Sequence, residues 1–221
     1  MKFKNIAVLT SRESWFVEYA RELVELFKKR NLNSRLFFNP DKISERYEIV
    51  FILSYFRVLK KNFLEKHIHN LVVHESNLPK GKGWSPLFWQ ILEGKNRIPI
   101  VLFEATEKVD EGKIFLKDYI VYEGHELHDE IREKQARKTI ELCLKFVEEY
   151  SKLRPKRQCG KSTYYRRRTP QDSKLDVKKT LRKQFNLLRI VDNENFPAFF
   201  YYKGHKYILK IYKERDDLNA E

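Results

Sequence analysis

The amino-acid sequence predicts an α/β fold: a mostly parallel sheet with helices on both faces, followed by a small C-terminal appendage of one helix and a β-hairpin. Two observations predict it. Short apolar segments alternate with amphipathic helical patterns through residues 1–150, as in domains built from strand–helix–strand units. A basic stretch without periodicity, residues 151–174, then separates this domain from residues 175–221.

The strands of the first domain are indicated by short runs of β-branched and aromatic side chains. After the first strand, Trp15, Phe16, Tyr19, Leu23 and Phe27 recur at helical spacing and predict an amphipathic helix. The remaining elements follow the same two patterns. The predicted strands are residues 5–11, 34–38, 48–54, 70–75, 98–105 and 113–121, and the other predicted helices are residues 58–66, 85–94 and 125–150.

The appendage is indicated by a change of pattern after the basic connecting segment. Residues 175–191 predict a helix, because Leu181, Phe185 and Leu188 fall on one face. Residues 196–213 predict a hairpin with aromatic and β-branched arms and a turn at Lys203-Gly204. Two such short strands cannot hide their own aromatic surface, so we expect a homodimer built partly on this hairpin.

Composition limits the class of protein. The chain has 221 residues, of which 42% are hydrophobic, as in globular domains. No apolar run approaches the roughly 20 residues that a membrane span needs, and no secretory leader is evident, so we expect a cytoplasmic protein without a membrane partner. Cys143 and Cys159 have no metal-binding spacing, and we predict no metal site.

Positive charge is concentrated in the last third of the chain. Residues 1–150 contain 26 Lys and Arg against 23 Asp and Glu, whereas residues 151–221 contain 19 against 8. Such a bias indicates an anionic partner or a solvated basic face. A nucleic-acid-binding module is the less favoured hypothesis, because the basic segment contains no recognised reading motif. The residues after the first strand, TSRESW, also lack the glycines of a dinucleotide or Walker loop.

The segment most informative about chemistry is VVHESNLPKGKGWSPLFW, residues 72–89, followed by VDEGKI, residues 109–114. His74 lies where a strand ends, and Asp110 follows 36 residues later, after another apolar strand. Ligands of open α/β sheets bind outside the carboxyl ends of the strands, and we expect both residues at that edge. An isolated histidine or Asp-x-Gly turn is usually structural, but the two motifs together favour a catalytic pair.

This pattern resembles the folate-dependent formyltransferases, which include the methionyl-tRNA, glycinamide-ribonucleotide and nucleotide-sugar N-formyltransferases. Their signature is a strand ending in Asn-x-His, a Ser-x-Leu-Pro loop, a Gly-x-x-Pro helix start and a later Asp-x-Gly-x-Ile. The resemblance covers residues 48–121 well and implies a Rossmann-like catalytic domain over residues 1–150. It implies N10-formyltetrahydrofolate as the formyl donor, with His74 as the base and Asp110 as the carboxylate that orients it.

One position departs from the family pattern. Val72 stands where the family has the strand asparagine, whose amide stabilises the oxyanion. Asn77, in the following loop, is the substitute that we predict, with backbone N–H groups and Asn70 as alternatives. If none acts, the protein is a non-catalytic folate- or nucleotide-binding relative.

The resemblance also implies the binding residues. Those expected at the folate are Phe56, Arg57, Val58, Leu59, Leu78, Gly81, Gly83 and Glu104. The trailing region resembles the nucleotide-sugar formyltransferases, which carry a short hairpin, whereas the tRNA-directed relatives carry a full β-barrel. We therefore expect a nucleoside-diphosphate amino sugar as acceptor. The residues expected to bind it are Arg166, Arg167, Arg168, Asn186 and Arg189. Another amine, including that of methionyl-tRNA, is the alternative.

Overall fold

The computed structural model describes residues 3–214 and has a six-stranded central sheet. Its strands are β1 (Asn5–Leu9), β2 (Asn33–Phe37), β3 (Ile49–Ile52), β4 (His69–His74), β6 (Arg97–Glu104) and β7 (Ile114–Val121). They lie in the order β2-β1-β3-β4-β6-β7. The first four strands in this order are parallel, whereas β6 is antiparallel to both β4 and β7. The predicted mostly parallel α/β sheet is confirmed.

Helices complete the first domain. They are α1 (Val17–Lys29), α2 (Lys61–Leu64), α3 (Pro86–Leu92) and α4 (His128–Glu149), with short 3-10 turns at Pro40–Lys42 and Tyr150–Lys152. The helix predicted over residues 58–66 corresponds to α2, which is only four residues long. None of the helices within residues 3–214 is long and apolar enough to cross a membrane.

Both faces of the sheet are buried, which explains why β3 and the part of β1 after Asn5 are apolar rather than alternating. Ile6 and Val8 of β1 face a core packed by α1, α3 and α4, and Ala7 and Leu9 face a second core. The second face is covered by α2 and by loop residues such as Tyr55. The helices α1, α3 and α4 therefore lie on one side of the sheet, and the short helix α2 lies on the other.

The basic connecting segment folds back onto the first domain. Its short strand β8 (Tyr164–Tyr165) pairs with β5 (Lys82–Gly83), and Lys156 forms a bridge with Ile114 at the start of β7. A 3-10 turn at Pro170–Ser173 ends this part. The segment was predicted to be a surface connection; the pairing instead ties it to the glycine loop that follows His74.

The appendage consists of α5 (Leu181–Ile190), β9 (Ala198–Tyr202) and β10 (His205–Leu209). The helix begins later than predicted because the Thr180 side chain caps it by accepting from the Lys183 N–H. The hairpin and its turn at Lys203-Gly204 lie where the sequence predicts them. The remainder of the predicted appendage, residues 215–221, lies outside the described residues.

Candidate functional site

A cavity of about 720 Å³ opens at the carboxyl ends of β3 and β4. Residues 52–59, 72–75 and 83–88 line it, together with residues of the Asp110 loop, of α4 and of the connecting segment. Parallel strands place their following loops at one edge of a sheet, which is where α/β proteins bind small molecules. The cavity is therefore the candidate functional site.

His74 is the last residue of β4 and is buried at the cavity wall. Its Nε2 lies 2.8 Å from the carbonyl oxygen of Gly81. A carbonyl oxygen can only accept, so Nε2 carries the hydrogen and the free lone pair of the neutral ring is on Nδ1. Because the ring is fixed in this way, His74 can accept one proton without reorienting.

Asp110 lies beside His74, with 3.9 Å between Asp110 Oδ2 and His74 Nε2. The same Oδ2 accepts a hydrogen bond of 2.9 Å from the backbone N–H of Gly83. The carboxylate is therefore placed to stabilise a protonated imidazole through space. The predicted juxtaposition of these two side chains is present in the structure.

The route that brings Asp110 to His74 differs from the prediction. Since β6 is antiparallel to β4, its carboxyl end is opposite Leu71 rather than His74, and the loop of residues 105–113 must return along the sheet. Gly112 makes this return possible, because a Cβ there would lie 1.6 Å from the carbonyl oxygen of Glu104. The expected meeting at the carboxyl end of β4 therefore holds, but Asp110 reaches it through this returning loop rather than directly from its own strand end.

Gln158 of the connecting segment fastens the returning loop. Its Nε2 donates to the carbonyl oxygens of Asp110 and Gly112, at 3.0 and 2.9 Å. Asp110 itself has a φ of 55°, which is unfavourable for a residue with a side chain. The buried Lys82 adds a contact of 2.9 Å to Glu111. These contacts hold a strained backbone in the conformation that aims Asp110 at His74.

Val72 faces the cavity, as the family pattern requires of the strand asparagine. The structure does not bring either proposed substitute to it. Asn77 is exposed, and its side-chain oxygen accepts from Lys117 at 2.6 Å. Asn70 donates from its amide to the carbonyl oxygen of Leu64. Both asparagines therefore lie outside the cavity lining, and the predicted role of Asn77 has no support from its position.

Four consecutive residues predicted at the folate, Phe56–Leu59, line the cavity. Phe56 is about half exposed, and its ring centroid lies 6.5 Å from that of Trp84. Gly83 lines the cavity too. Exposed apolar side chains at the rim of a cavity are typical of a site for a flat aromatic ligand.

The other residues predicted at the folate lie elsewhere. Leu78 is buried against Val101 and Phe103, and Gly81 contributes its carbonyl oxygen to His74. Glu104 faces away from the cavity, because its carboxylate accepts from His69 Nδ1 and from the backbone N–H of Asn70. Glu104 lies there because β6 is antiparallel to β4, which places Glu104 opposite Leu71, near the start of β4.

The predicted acceptor residues divide in the same way. Arg167 and Arg168 line the cavity. Arg166 is exposed and forms an ion pair with Asp172, which keeps the pKa of that carboxyl well below its usual range. Asn186 does not line the cavity either.

Arg189 is fully buried outside the cavity and performs a structural task. Its Nη2 donates to Asn96 at 3.2 Å, and its Nη1 lies 3.9 Å from the carboxylate of Glu126. These contacts attach α5 to the first domain. The predicted contact between Arg189 and the acceptor therefore conflicts with its position.

Sequence reasoning missed a polar chain on α4. Arg132 Nη1 donates to Gln135 Oε1 at 3.0 Å, and Gln135 Nε2 donates to the carboxylate of Glu75 at 2.7 Å. All three residues line the cavity. A signal was present: Arg132, Gln135 and Thr139 share a helix face with buried apolar residues, which is unusual for polar side chains.

Comparison with known proteins identifies the family. A family model described as formyl transferase matches residues 2–146, about two thirds of the chain. The chain belongs to the formyl transferase family. The match includes His74, Asp110 and the whole central sheet. The resemblance inferred from residues 48–121 is thereby confirmed at the level of the folate-dependent formyltransferases.

The curated relatives are longer than this chain. Methionyl-tRNA formyltransferase of Thermodesulfovibrio yellowstonii is 28% identical over 145 residues, 64% of this chain and 47% of that protein. The chain spans about half the length, or less, of the curated relatives that it matches. The sequence relatives are mostly methionyl-tRNA formyltransferases, so the sequence matches do not favour a sugar acceptor.

Solved structures show the fold over nearly the whole formyl transferase chain. A methionyl-tRNA formyltransferase from Clostridium thermocellum superposes with a TM-score of 0.80 at 21% identity, over 97% of this chain and 95% of that one. A sugar N-formyltransferase from a Shewanella species superposes with a TM-score of 0.70 at 16% identity, over 95% and 98%. At these identities the superpositions show a shared fold.

Proposed function

We propose that the protein transfers a formyl group from N10-formyltetrahydrofolate to the amine of an amino-deoxy sugar carried on a nucleoside diphosphate. The observation that carries the proposal is the His74–Asp110 pair in a cavity with two unlike sides. The side formed by Phe56–Leu59 is rich in apolar surface and suits the pterin. The other side contains Arg132 and Arg168 and suits an anionic acceptor.

The chemistry uses few groups. The acceptor nitrogen attacks the formyl carbon, and a tetrahedral oxyanion forms. Nδ1 of His74 accepts the proton from the attacking amine, and Asp110 stabilises the resulting imidazolium. When the oxyanion collapses, the bond between carbon and N10 breaks, the imidazolium of His74 gives its proton to N10, and tetrahydrofolate leaves. Histidine side chains are suited to this step because they both accept and release a proton readily near neutral pH.

Val72 sets the expected rate of the reaction. A valine side chain has no hydrogen-bond donor, and neither Asn77 nor Asn70 replaces the missing amide in the cavity. Losing one oxyanion donor typically lowers the rate about 10²–10³-fold. We therefore propose an active but slow enzyme, in which orientation of the acceptor supplies much of the remaining rate enhancement.

Methionyl-tRNA is the second candidate acceptor. It is favoured by the sequence relatives and by the excess of Lys and Arg over residues 151–221, most of whose described basic side chains are exposed. A tRNA would be bound through several phosphates, so its affinity would fall steeply as salt is raised. A small nucleotide would lose much less affinity over the same range of salt.

An assay of tetrahydrofolate release over a panel of amines tests the proposal. The panel contains nucleotide-linked amino sugars, the same amino sugars without the nucleotide, and methionyl-tRNA. We expect release with a nucleotide-linked sugar and little with the free sugar. Release with methionyl-tRNA alone would move the function to the second candidate, and no release with any member would contradict formyl transfer to these amines.

A further inference from the structure

The side of the cavity formed by α4 contains two arginines whose donors are incompletely used. Among the described residues, the buried Nε of Arg132 has no hydrogen-bond partner, and the same is true of Nε and Nη2 of Arg168. Both side chains line the cavity. Buried guanidinium donors without a partner carry a desolvation cost that a bound acceptor group would remove.

The two guanidinium groups converge on one aromatic ring. The carbon at the centre of the Arg132 guanidinium lies 4.4 Å from the ring centroid of Phe88, and that of Arg168 lies 5.8 Å from the same centroid. The same carbon of Arg132 lies 4.3 Å from the ring centroid of Trp15. The rings thus fix the planes of the cations while leaving donor edges toward the cavity.

Their charges are only partly balanced within the protein. Burial lowers the pKa of Arg132 to about 10, although the nearby carboxylate of Glu75 raises it, and the charge of Arg168 lowers it further. Burial likewise lowers the pKa of Arg168. Glu75 is already bonded to Gln135, and Asp192, the other carboxylate near Arg132, accepts from Asn195. Two like charges therefore lie close together, and the carboxylates nearest to them, Glu75, Asp192 and Asp172, are bonded to other groups.

We propose that Arg132 and Arg168, backed by Phe88 and Trp15, form a binding site for a phosphate group of the acceptor. A phosphate has enough oxygens to accept from two guanidinium forks that come from different elements, whereas a single carboxylate matches one fork. Phosphate binding is therefore proposed for Arg132, on α4, and not for Arg166, whose guanidinium already forms an ion pair with Asp172. The inference rests on the proposed function only for the identity of the molecule that carries the phosphate.

Gln135 connects the proposed phosphate site to the end of β4. The chain of hydrogen bonds from Arg132 through Gln135 ends at Glu75, the residue directly after His74. Because Glu75 is also fixed through its carbonyl oxygen by Gln90, the site is connected rigidly to the catalytic end of β4. A phosphate held by Arg132 would thereby have a defined position relative to the base.

Titration calorimetry without any formyl donor tests the site, with inorganic pyrophosphate and UDP as probes. We expect wild type to bind at least one of them, and Arg132→Gln and Arg168→Gln each to weaken binding about tenfold or more. Arg132→Lys, which keeps the charge but loses the planar fork, should fall between. The control is Arg137→Gln, five residues along α4, which removes an exposed ion pair with Glu22 and should bind like wild type.

The outcomes separate this site from the proposed reaction. Loss of probe binding in both variants, with wild-type thermal unfolding, supports the site even if no amine is formylated. Wild type that binds neither probe, or Arg132→Gln and Arg168→Gln that bind as tightly as wild type, would overturn it. Succinate that displaces pyrophosphate at equal concentration would also overturn it, in favour of a carboxylate site.

Discussion

Nε2 of His74 lies 3.9 Å from Oδ2 of Asp110, although the strands that precede these residues run in opposite directions. The pair therefore depends on a loop that turns back along the sheet and is fastened by Gly83 and by Gln158. The geometry of the proposed catalytic pair is thus shared among three separate segments of chain.

Restoring the family amide at position 72 should accelerate the reaction. In Val72→Asn the new amide would project from the same point of β4 into the cavity, where it can donate to the oxyanion. We expect kcat to rise by up to about 10²–10³-fold, the usual contribution of one such donor. Steady-state kinetics with a single acceptor measures it.

Asn77→Ala is the matched comparison and should leave kcat unchanged, because Asn77 is exposed and bound to Lys117. A fall in kcat for Asn77→Ala would restore that residue as the donor.

Gln158 should act on the rate by positioning Asp110. Gln158→Leu keeps the size of the side chain but removes both hydrogen bonds to the carbonyl oxygens of the loop. We expect kcat to fall about tenfold while the KM for the acceptor stays nearly constant, since the loop would relax from its positive φ. Gln171→Leu, at an exposed position of the same segment, is the control. If Gln158→Leu lowers thermal stability but leaves kcat unchanged, Gln158 has a structural role only.

Glu126 should make the attachment of α5 sensitive to acid. Burial raises the pKa of this carboxyl, but hydrogen bonds from Lys134 and from the backbone N–H groups of Glu123 and Gly124 outweigh it and lower the pKa to about 2. A depressed folded-state pKa contributes stability above the unfolded value of 4.5. That stability is lost as the pH falls from about 4.5 toward 2.

The variant Glu126→Gln measures this contribution. It should lower the free energy of unfolding at pH 7 by about 1–3 kcal/mol, because a charged acceptor of several hydrogen bonds is lost beside Arg189. Denaturant melts at pH 7 and at pH 3 should show a smaller difference between wild type and variant at the lower pH. Glu133→Gln, on the exposed face of α4, is the control. A difference that is the same at both pH values would contradict the assigned pKa.

The C-terminal hairpin should bring two copies of the chain together. Ala198 packs in a cluster with Leu188 of α5 and Phe199 is buried as well, whereas Tyr201, Tyr207 and Ile208 are about half exposed. Such an aromatic surface is large for a solvated hairpin. We expect a dimer at micromolar concentration and a monomer for Tyr207→Lys with Ile208→Lys, both measured by light scattering. Wild type that is monomeric at that concentration would rule out this interface.

The sequence was sufficient for the sheet, the hairpin and the meeting of His74 with Asp110, because each depends on a local pattern or on a specific motif. It was insufficient where a position depends on the direction of a strand or on how separate elements pack together. A strand buried on both faces has the same apolar pattern in either direction, so the antiparallel β6 and the displacement of Glu104 were not predictable. Arg132 contacts Trp15 only once α4 has packed beside the segment that precedes α1. Asp172, six residues beyond Arg166, removes that arginine from the cavity.

Transfer of a labelled formyl group is the most direct test of the account. N10-formyltetrahydrofolate labelled in the formyl carbon is incubated with a nucleotide-linked amino sugar and either wild type, His74→Gln or the exposed control His125→Gln. We expect label on the amine with wild type and His125→Gln, and a rate lower by about 10² or more with His74→Gln at unchanged thermal stability. Wild-type rates in His74→Gln, or no labelled amine with wild type, would contradict it.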